Sequence, residues 1–240
     1  MRLDQFLVQA NICSRSEAKK IIKKGRVCVN GQINRDNSDH IDESADLITV
    51  DGKLIEYSRY HYYMLNKPAG CVSATRDGLS TTVIELLKGE NVKNCFPVGR
   101  LDKDTEGLLI ITDDGKLAHE LLSPKHHVNK VYEVIADKKL SDSDTEQIEG
   151  GMDIGDDKLT LPASITYVED ISEGVSSLYK YELTICEGRF HQVKRMFEKC
   201  GSKVVYLKRI AMGPLELDVD LEPGKYRILT EEEIGLLSNC

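Results

Sequence analysis

Three short stretches of this sequence carry side chains whose types and spacing could do chemistry. The first is Gly99-Arg100-Leu101-Asp102-Lys103-Asp104-Thr105-Glu106-Gly107, where a carboxylate follows an arginine by two residues in a glycine-bracketed loop. That loop leads into the apolar run Leu108-Leu109-Ile110-Ile111, which predicts a buried strand, so Asp102 should be fixed in place and not left on a mobile surface. The second stretch pairs Lys130 with Tyr132, and the third is His191-Gln192-Val193-Lys194-Arg195-Met196. An ionised carboxylate can act as nucleophile or base. In a closed pocket it needs a cation to offset its desolvation, and Lys194 or its neighbour Arg195 could supply one. A single Asp between glycines is more often an ordinary surface charge, so the weight of this reading rests on the rest of the chain.

With 240 residues, 40% apolar and 30% charged, the chain has the make-up of a globular protein able to bury a sizeable core. No apolar run approaches the ~20 residues that cross a bilayer, and Met1-Arg2-Leu3-Asp4 opens an amphipathic pattern unlike a signal peptide, so a cytoplasmic location is expected, with no membrane partner. The seven cysteines are scattered singly, which fits reduced thiols and argues against a disulfide framework. None lies at zinc-ligand spacing from the His126-His127 pair, so no metal site is expected.

Net charge is −8, which taken whole disfavours a nucleic-acid partner, but the average conceals an asymmetry. Residues 1 to 35 hold eight Lys/Arg against Asp4 and Glu17, a surplus of +6, leaving 24 basic against 38 acidic residues beyond, or −14. A split of this kind points to two modules, one of them made for a polyanion.

The elements that must position these groups follow from periodicity and caps. Leu3, Phe6, Leu7 and Ala10 mark one face of a helix ending near Asn11, and Ser14-Arg15-Ser16-Glu17 is a capping box that starts a second helix, stopped by Gly25. Ala18, Ile21 and Ile22 face inward on it, leaving Arg15, Lys19, Lys20, Lys23 and Lys24 outside. Val27-Cys28-Val29 with Asn30-Gly31, and Ile48-Thr49-Val50 with Asp51-Gly52, predict hairpins. Past a polar stretch, with a boundary near residue 58, strands are predicted at Tyr62 to Asn66, Lys130 to Ile135, Tyr179 to Ile185 and Val204 to Leu207. Short helices are predicted at Thr81 to Leu87, around Leu117 to Leu122, at Ser141 to Gln147, along Val193 to Cys200, and after Thr230. Lys67-Pro68-Ala69-Gly70 reads as a turn. The fold class is α+β: a small helical and β-hairpin domain over residues 1–58, then a larger, mainly antiparallel sheet flanked by helices over residues 59–240.

Arg2-Leu3-Asp4, Ser14 through Ala18, Ile22 through Val27 and Val29-Asn30-Gly31 together resemble the RNA-binding domain first described in ribosomal protein S-four. The resemblance implies that Arg15, Lys19, Lys20, Lys23 and Arg26 lie against RNA phosphates. The three chemical stretches, in order, resemble the pseudouridine synthases of the RsuA branch, whose motifs read G-R-L-D-x-D-S/T-x-G-L, K-x-Y and E-G-R/K-x-H-Q-V-K-R-M.

That family breaks a uridine's glycosidic bond and rejoins carbon C5 to the ribose, an isomerisation that needs no cofactor. The resemblance implies catalytic roles for Asp102, Tyr132 against the uracil, and Lys194 as counter-ion, with Arg195 left open as the alternative. It implies that Arg100 fills the gap left by the extruded base, an extrusion required because the target atoms of a stacked nucleotide cannot be reached. Lys130, Gln192 and Arg195 join the residues expected on RNA, while Asp104 and Thr105 should shape the loop through side-chain to backbone bonds. The expected substrate is a uridine of 16S ribosomal RNA in a partly assembled small subunit, modified by a monomer. Alternatives are a 23S uridine, a non-catalytic ribosome-assembly factor, or a glycosidase pairing Asp102 with Glu106, which the absence of Trp disfavours.

Overall fold

A computed structural model describes the chain except residues 11, 44, 56–59, 91, 93, 174 and 175. The described residues form two compact units, Met1–Tyr60 and His61–Cys240. The expected helix end at Asn11 and the expected boundary near residue 58 both lie outside the described residues.

In the first unit, α1 (Leu3–Gln9) and α2 (Arg15–Lys23) pack on a four-stranded antiparallel sheet of β1 (Val27–Val29), β2 (Gln32–Asn34), β3 (Ile48–Val50) and β4 (Lys53–Leu54), in the order β2-β1-β3-β4. The capping box forms as the sequence predicts: Glu17 N donates to Ser14 Oγ at 3.4 Å, and Ser14 N to Glu17 Oε2 at 2.9 Å. Leu3, Phe6, Leu7, Ala18, Ile22, Val27 and Ile48 make the core, so one side of α2 is committed to packing. The opposite side leaves Arg15, Lys19, Lys20, Lys23 and Lys24 exposed.

The second unit is built on β5 (Tyr62–Lys67), β6 (Phe96–Pro97), β7 (Glu106–Thr112), β8 (Lys130–Ala136), β9 (Ser164–Glu173), β10 (Ser176–Ile185), β11 (Val204–Met212), β12 (Leu215–Glu216) and β13 (Tyr226–Ile228). They form one sheet in the order β13-β5-β7-β11-β8-β10-β9, with β6 on β7 and β12 on β11. Every pairing is antiparallel except β7 with β11. The helices are α3 (Gly115–Leu122), α4 (Asp142–Gly150), α5 (Gln192–Lys199) and α6 (Glu231–Ser238). Among the described residues, no helix is long and apolar enough to cross a membrane.

The run Leu108 to Ile111 is apolar throughout because β7 is buried on both faces. Leu109 and Ile111 pack with Val193, Met196 and Phe197 of α5, whereas Leu108 and Ile110 pack with Leu117, Ala118 and Leu121 of α3 and Leu237 of α6. The start of β7 meets β11 at Gly107, where φ is +100° and an added Cβ would sit 2.2 Å from the Arg209 carbonyl oxygen. Only glycine fits, and this close approach fixes where the Asp102 loop ends. Two expectations are corrected. The helix predicted from Thr81 to Leu87 is a single 3-10 turn, Ile84–Leu86, since so short a segment cannot offset helix nucleation. The edge strand β9 was not expected at all: it pairs only with β10 and exposes Tyr167 and Val168, so it lacks the alternation that announces a half-buried strand.

Candidate active site

The loop from Gly99 to Thr105 is anchored by its backbone. Ser73 Oγ donates to Leu101 O at 2.9 Å and accepts from Leu101 N at 3.0 Å, and Leu101 itself is buried. Beneath the loop lies Lys67, fully buried, whose ammonium donates to Thr105 O (2.7 Å), Asp102 O (3.0 Å), Pro68 O (3.1 Å) and Lys103 O (3.4 Å). Burial pulls the Lys67 ammonium below lysine's ordinary value, and neighbouring Cys71, Asp104, Glu106 and Asp102 oppose that. The sequence reading treated Lys67 as part of a turn. The structure makes it the hub that gathers three carbonyls of the Asp102 loop, and a lysine inside a turn motif gave no signal of that reach.

The Asp102 side chain stays partly open, and Lys194 Nζ lies 3.2 Å from its Oδ2. The same ammonium is 2.6 Å from Asp104 Oδ1. Burial lowers the affinity of Lys194 for its proton, but the hydrogen bonds to Asp104 and Asp102 outweigh it and leave the ammonium above its usual range. The hydrogen bond from Lys194 holds Asp104 below the usual carboxylate range. A third cation-capable group, His191 Nε2, stands 3.6 Å from Asp102 Oδ1. Asp102, Lys194, Tyr132, Thr105, His191 and Val193 line a tight recess of about 70 Å³. It adjoins an open cleft of about 750 Å³, and Arg100, exposed at the mouth, lines both.

The sequence favours Lys194 as the counter-ion with Arg195 as the alternative, and the helix separates them. Adjacent residues on α5 point about 100° apart, so only one can face the loop. Arg195 turns away: its guanidinium donates to Ile154 O at 2.6 and 3.1 Å and to Phe190 O at 3.0 Å. In this structure Arg195 thus ties the start of α5 to the segment around Ile154.

Two further residues expected on RNA, Lys130 and Gln192, are buried. Lys130 shares the inward face of β8 with Tyr132, because residues two apart on a strand point the same way; its Nζ donates to Val128 O at 2.8 Å. Burial, together with the nearby Arg209 charge, lowers the affinity of Lys130 for its proton. Gln192 is also buried, donating to Glu187 Oε1 at 2.9 Å and accepting from Arg189 N at 3.0 Å. In the first unit, Arg26 is exposed but forms a two-pronged pair with Asp51, which holds its charge locally, whereas Arg15, Lys19, Lys20 and Lys23 remain on the solvated face of α2.

The two side chains expected to shape the loop fare differently. Asp104 spends its carboxylate on Lys194, and Thr105 Oγ1 is buried without a hydrogen-bond partner among the described residues. Glu106, the possible second carboxylate of a glycosidase, instead accepts from Tyr206 Oη at 2.9 Å. Away from the site, His61, Cys95 and Asp113 cluster beyond the paired ends of β5, β6 and β7. There His61 Nδ1 lies 2.9 Å from Asp113 Oδ2, and burial, reinforced by Asp113, pushes the Cys95 thiol up to about 11.

The site thus sets a carboxylate beside a lysine, a buried tyrosine and an exposed arginine. Residues 61–199 match the model of the RNA pseudouridylate synthase family and residues 1–48 that of the S4 domain. The chain belongs to the RNA pseudouridylate synthase family, isomerases of RNA uridine, and carries an S4 domain at its N-terminal end. It is 45% identical to an uncharacterised RNA pseudouridine synthase of Bacillus subtilis, over 99% of this chain and 98% of the relative. It is 41% identical to the ribosomal small subunit pseudouridine synthase A of Vibrio vulnificus (98% of each chain) and 40% identical to that of Escherichia coli K12 (98% and 99%). A solved pseudouridylate synthase shares 37% identity with a TM-score of 0.68, covering 99% of each chain.

Proposed function

We propose that this protein converts a uridine of small-subunit (16S) ribosomal RNA to pseudouridine, with Asp102 as the catalytic carboxylate. The observation that carries the reading is the Asp102–Lys194 pair at 3.2 Å, opening onto a recess walled by Tyr132. The ammonium offsets the desolvation that the Asp102 carboxylate meets when a uridine closes the recess. Tyr132, fixed on β8, offers its ring to the uracil, and Arg100 at the mouth occupies the helix position vacated by the extruded nucleotide. No cofactor enters this scheme, because bond cleavage and re-formation occur within one nucleotide.

Substrate choice rests on the names of the Vibrio vulnificus and Escherichia coli relatives and on the basic face of α2. In this reading residues 1–58 anchor the RNA and residues 59–240 hold the catalytic machinery, acting as a cytoplasmic monomer on a partly assembled small subunit. The test is to incubate the protein with unmodified 16S and 23S RNA, both as free transcripts and as partly assembled subunits, and map carbodiimide adducts by primer extension. A new stop at a single 16S uridine is expected. A stop confined to 23S RNA contradicts the substrate, and none in either contradicts the activity.

A further inference from the structure

We propose that Phe190, backed by His191, is a stacking subsite for the base of a nucleotide adjacent to the target uridine. This deepens the reading of the site as an RNA uridine isomerase and rests on it. The Phe190 ring is 73% exposed, whereas Phe6 and Phe197 are buried and Phe96 is half-buried. An exposed aromatic ring forfeits the burial that normally stabilises it, and its position here gives that exposure a use. The imidazole of His191 lies against it, with ring centroids 3.8 Å apart and planes 17° from parallel. The same imidazole is 3.6 Å from Asp102, and both rings line the 750 Å³ cleft together with Arg100 and Asp102.

The segment carrying the ring is stiff. Arg189 is tied to Lys158 O and Leu159 O at 2.6 Å each and to Glu187 Oε2 at 3.0 Å. Arg189 N donates to the Gln192 side chain, and Phe190 O accepts from Arg195. His191 adopts a left-handed backbone, φ +50°, a conformation non-glycine residues seldom take. Strain of that kind persists where surrounding contacts over-determine it, and here it coincides with the stacked pair beside Asp102. Phe190 is thus held outward at the cleft mouth by a framework on both sides.

Extruding a uridine costs its neighbours a stacking partner. With Arg100 in the vacated position, an aromatic face at the mouth of the recess gives the adjacent base a further stacking surface, and sequence-tolerant stacking follows because every base has a π-face. The ligand class is therefore a nucleobase of any identity, bound face-on. Its contribution is to hold the strand while the uridine is inserted, and not to read sequence.

The test uses the full-length protein and a 16S transcript in which the modified uridine has been mapped. By the usual effect of losing one base–aromatic stack, Phe190→Ala and Phe190→Leu should each raise KM about tenfold, and Phe190→Tyr should restore it to within about twofold of the parent. An abasic residue beside the target uridine should raise the parent's KM by a similar factor and leave that of Phe190→Ala nearly unmoved, since both changes remove the same contact. An unchanged KM for Phe190→Ala, a Leu variant equal to the parent, or penalties that simply multiply would each overturn the subsite while the parent's activity leaves the enzymatic reading intact. A parent that modifies no uridine overturns both.

Discussion

Two sets of cations in this protein sit in opposite surroundings, one enclosed and the other solvated. Around the Asp102 loop, Lys67 is fully enclosed by carbonyls and Lys194 is clamped between Asp102 and Asp104. On α2, Arg15, Lys19, Lys20 and Lys23 stand in solvent on a helix whose other face is core. Charges that shape a reacting carboxylate must be immobile and partly dehydrated, where each interaction is strong. Charges that grip a polyanion gain by remaining hydrated and exchangeable, because their contribution comes from displacing counterions. The lesson is that a lysine's role here follows from what surrounds its ammonium, and lysine count by itself predicts neither.

The sharpest way to break this contrast is Lys67→Met. Removing the ammonium takes from Thr105 O its 2.7 Å donor, while Asp102 O and Lys103 O keep Thr105 N and Gly70 N, so at about 1–3 kcal/mol for an unsatisfied group the protein should lose about 1–3 kcal/mol in urea unfolding. A loss below about 1 kcal/mol would mean the hub is ornamental. Next, Lys194→Met should lower kcat about a hundredfold with KM within about threefold, the signature of a group that matters most as charge develops. A raised KM with kcat unchanged would assign Lys194 to RNA binding.

Changing Lys19, Lys20 and Lys23 together to Ala should act on the other side of the contrast. The slope of log affinity against log salt should fall by about 2 to 3, with kcat at saturating RNA close to the parent's. A preserved slope would remove α2 from the RNA interface.

The smallest expected effect is that of Asp104→Asn. Asp104 is mostly exposed, so its bond to Lys194 should contribute within about 1 kcal/mol. The sign follows from both partners. Asp104 is depressed when folded, so its contribution is present above its unfolded value of 3.8 and fades as pH falls through the lower folded one. Lys194 is raised, so its contribution is complete below 10.5 and fades as pH rises through the higher folded value. The stability gap between parent and variant should therefore be flat between these limits and close at both extremes, as read by thermal melts across pH.

Much of the scaffold was legible because it depends on local rules. The capping boxes at Ser14 and Thr230 and the doubly buried run of β7 each announce themselves within a few residues. Asp102 and Tyr132 were legible as candidates through their motifs. What escaped depends on contacts far apart in the chain: Lys67 reaching Thr105, Arg26 meeting Asp51, and Lys194 being chosen over Arg195 by the rotation of α5. The burial of Lys130 was legible too, since period-two alternation places it on the face of Tyr132.

The account stands or falls on Asp102, and the direct measurement is single-turnover pseudouridine formation by Asp102→Asn on the mapped 16S transcript, with filter binding run in parallel. The account predicts a rate at least about a thousandfold below the parent's with affinity within about twofold, as for a group acting at the chemical step. An Asn variant that forms pseudouridine within about tenfold of the parent's rate would contradict it.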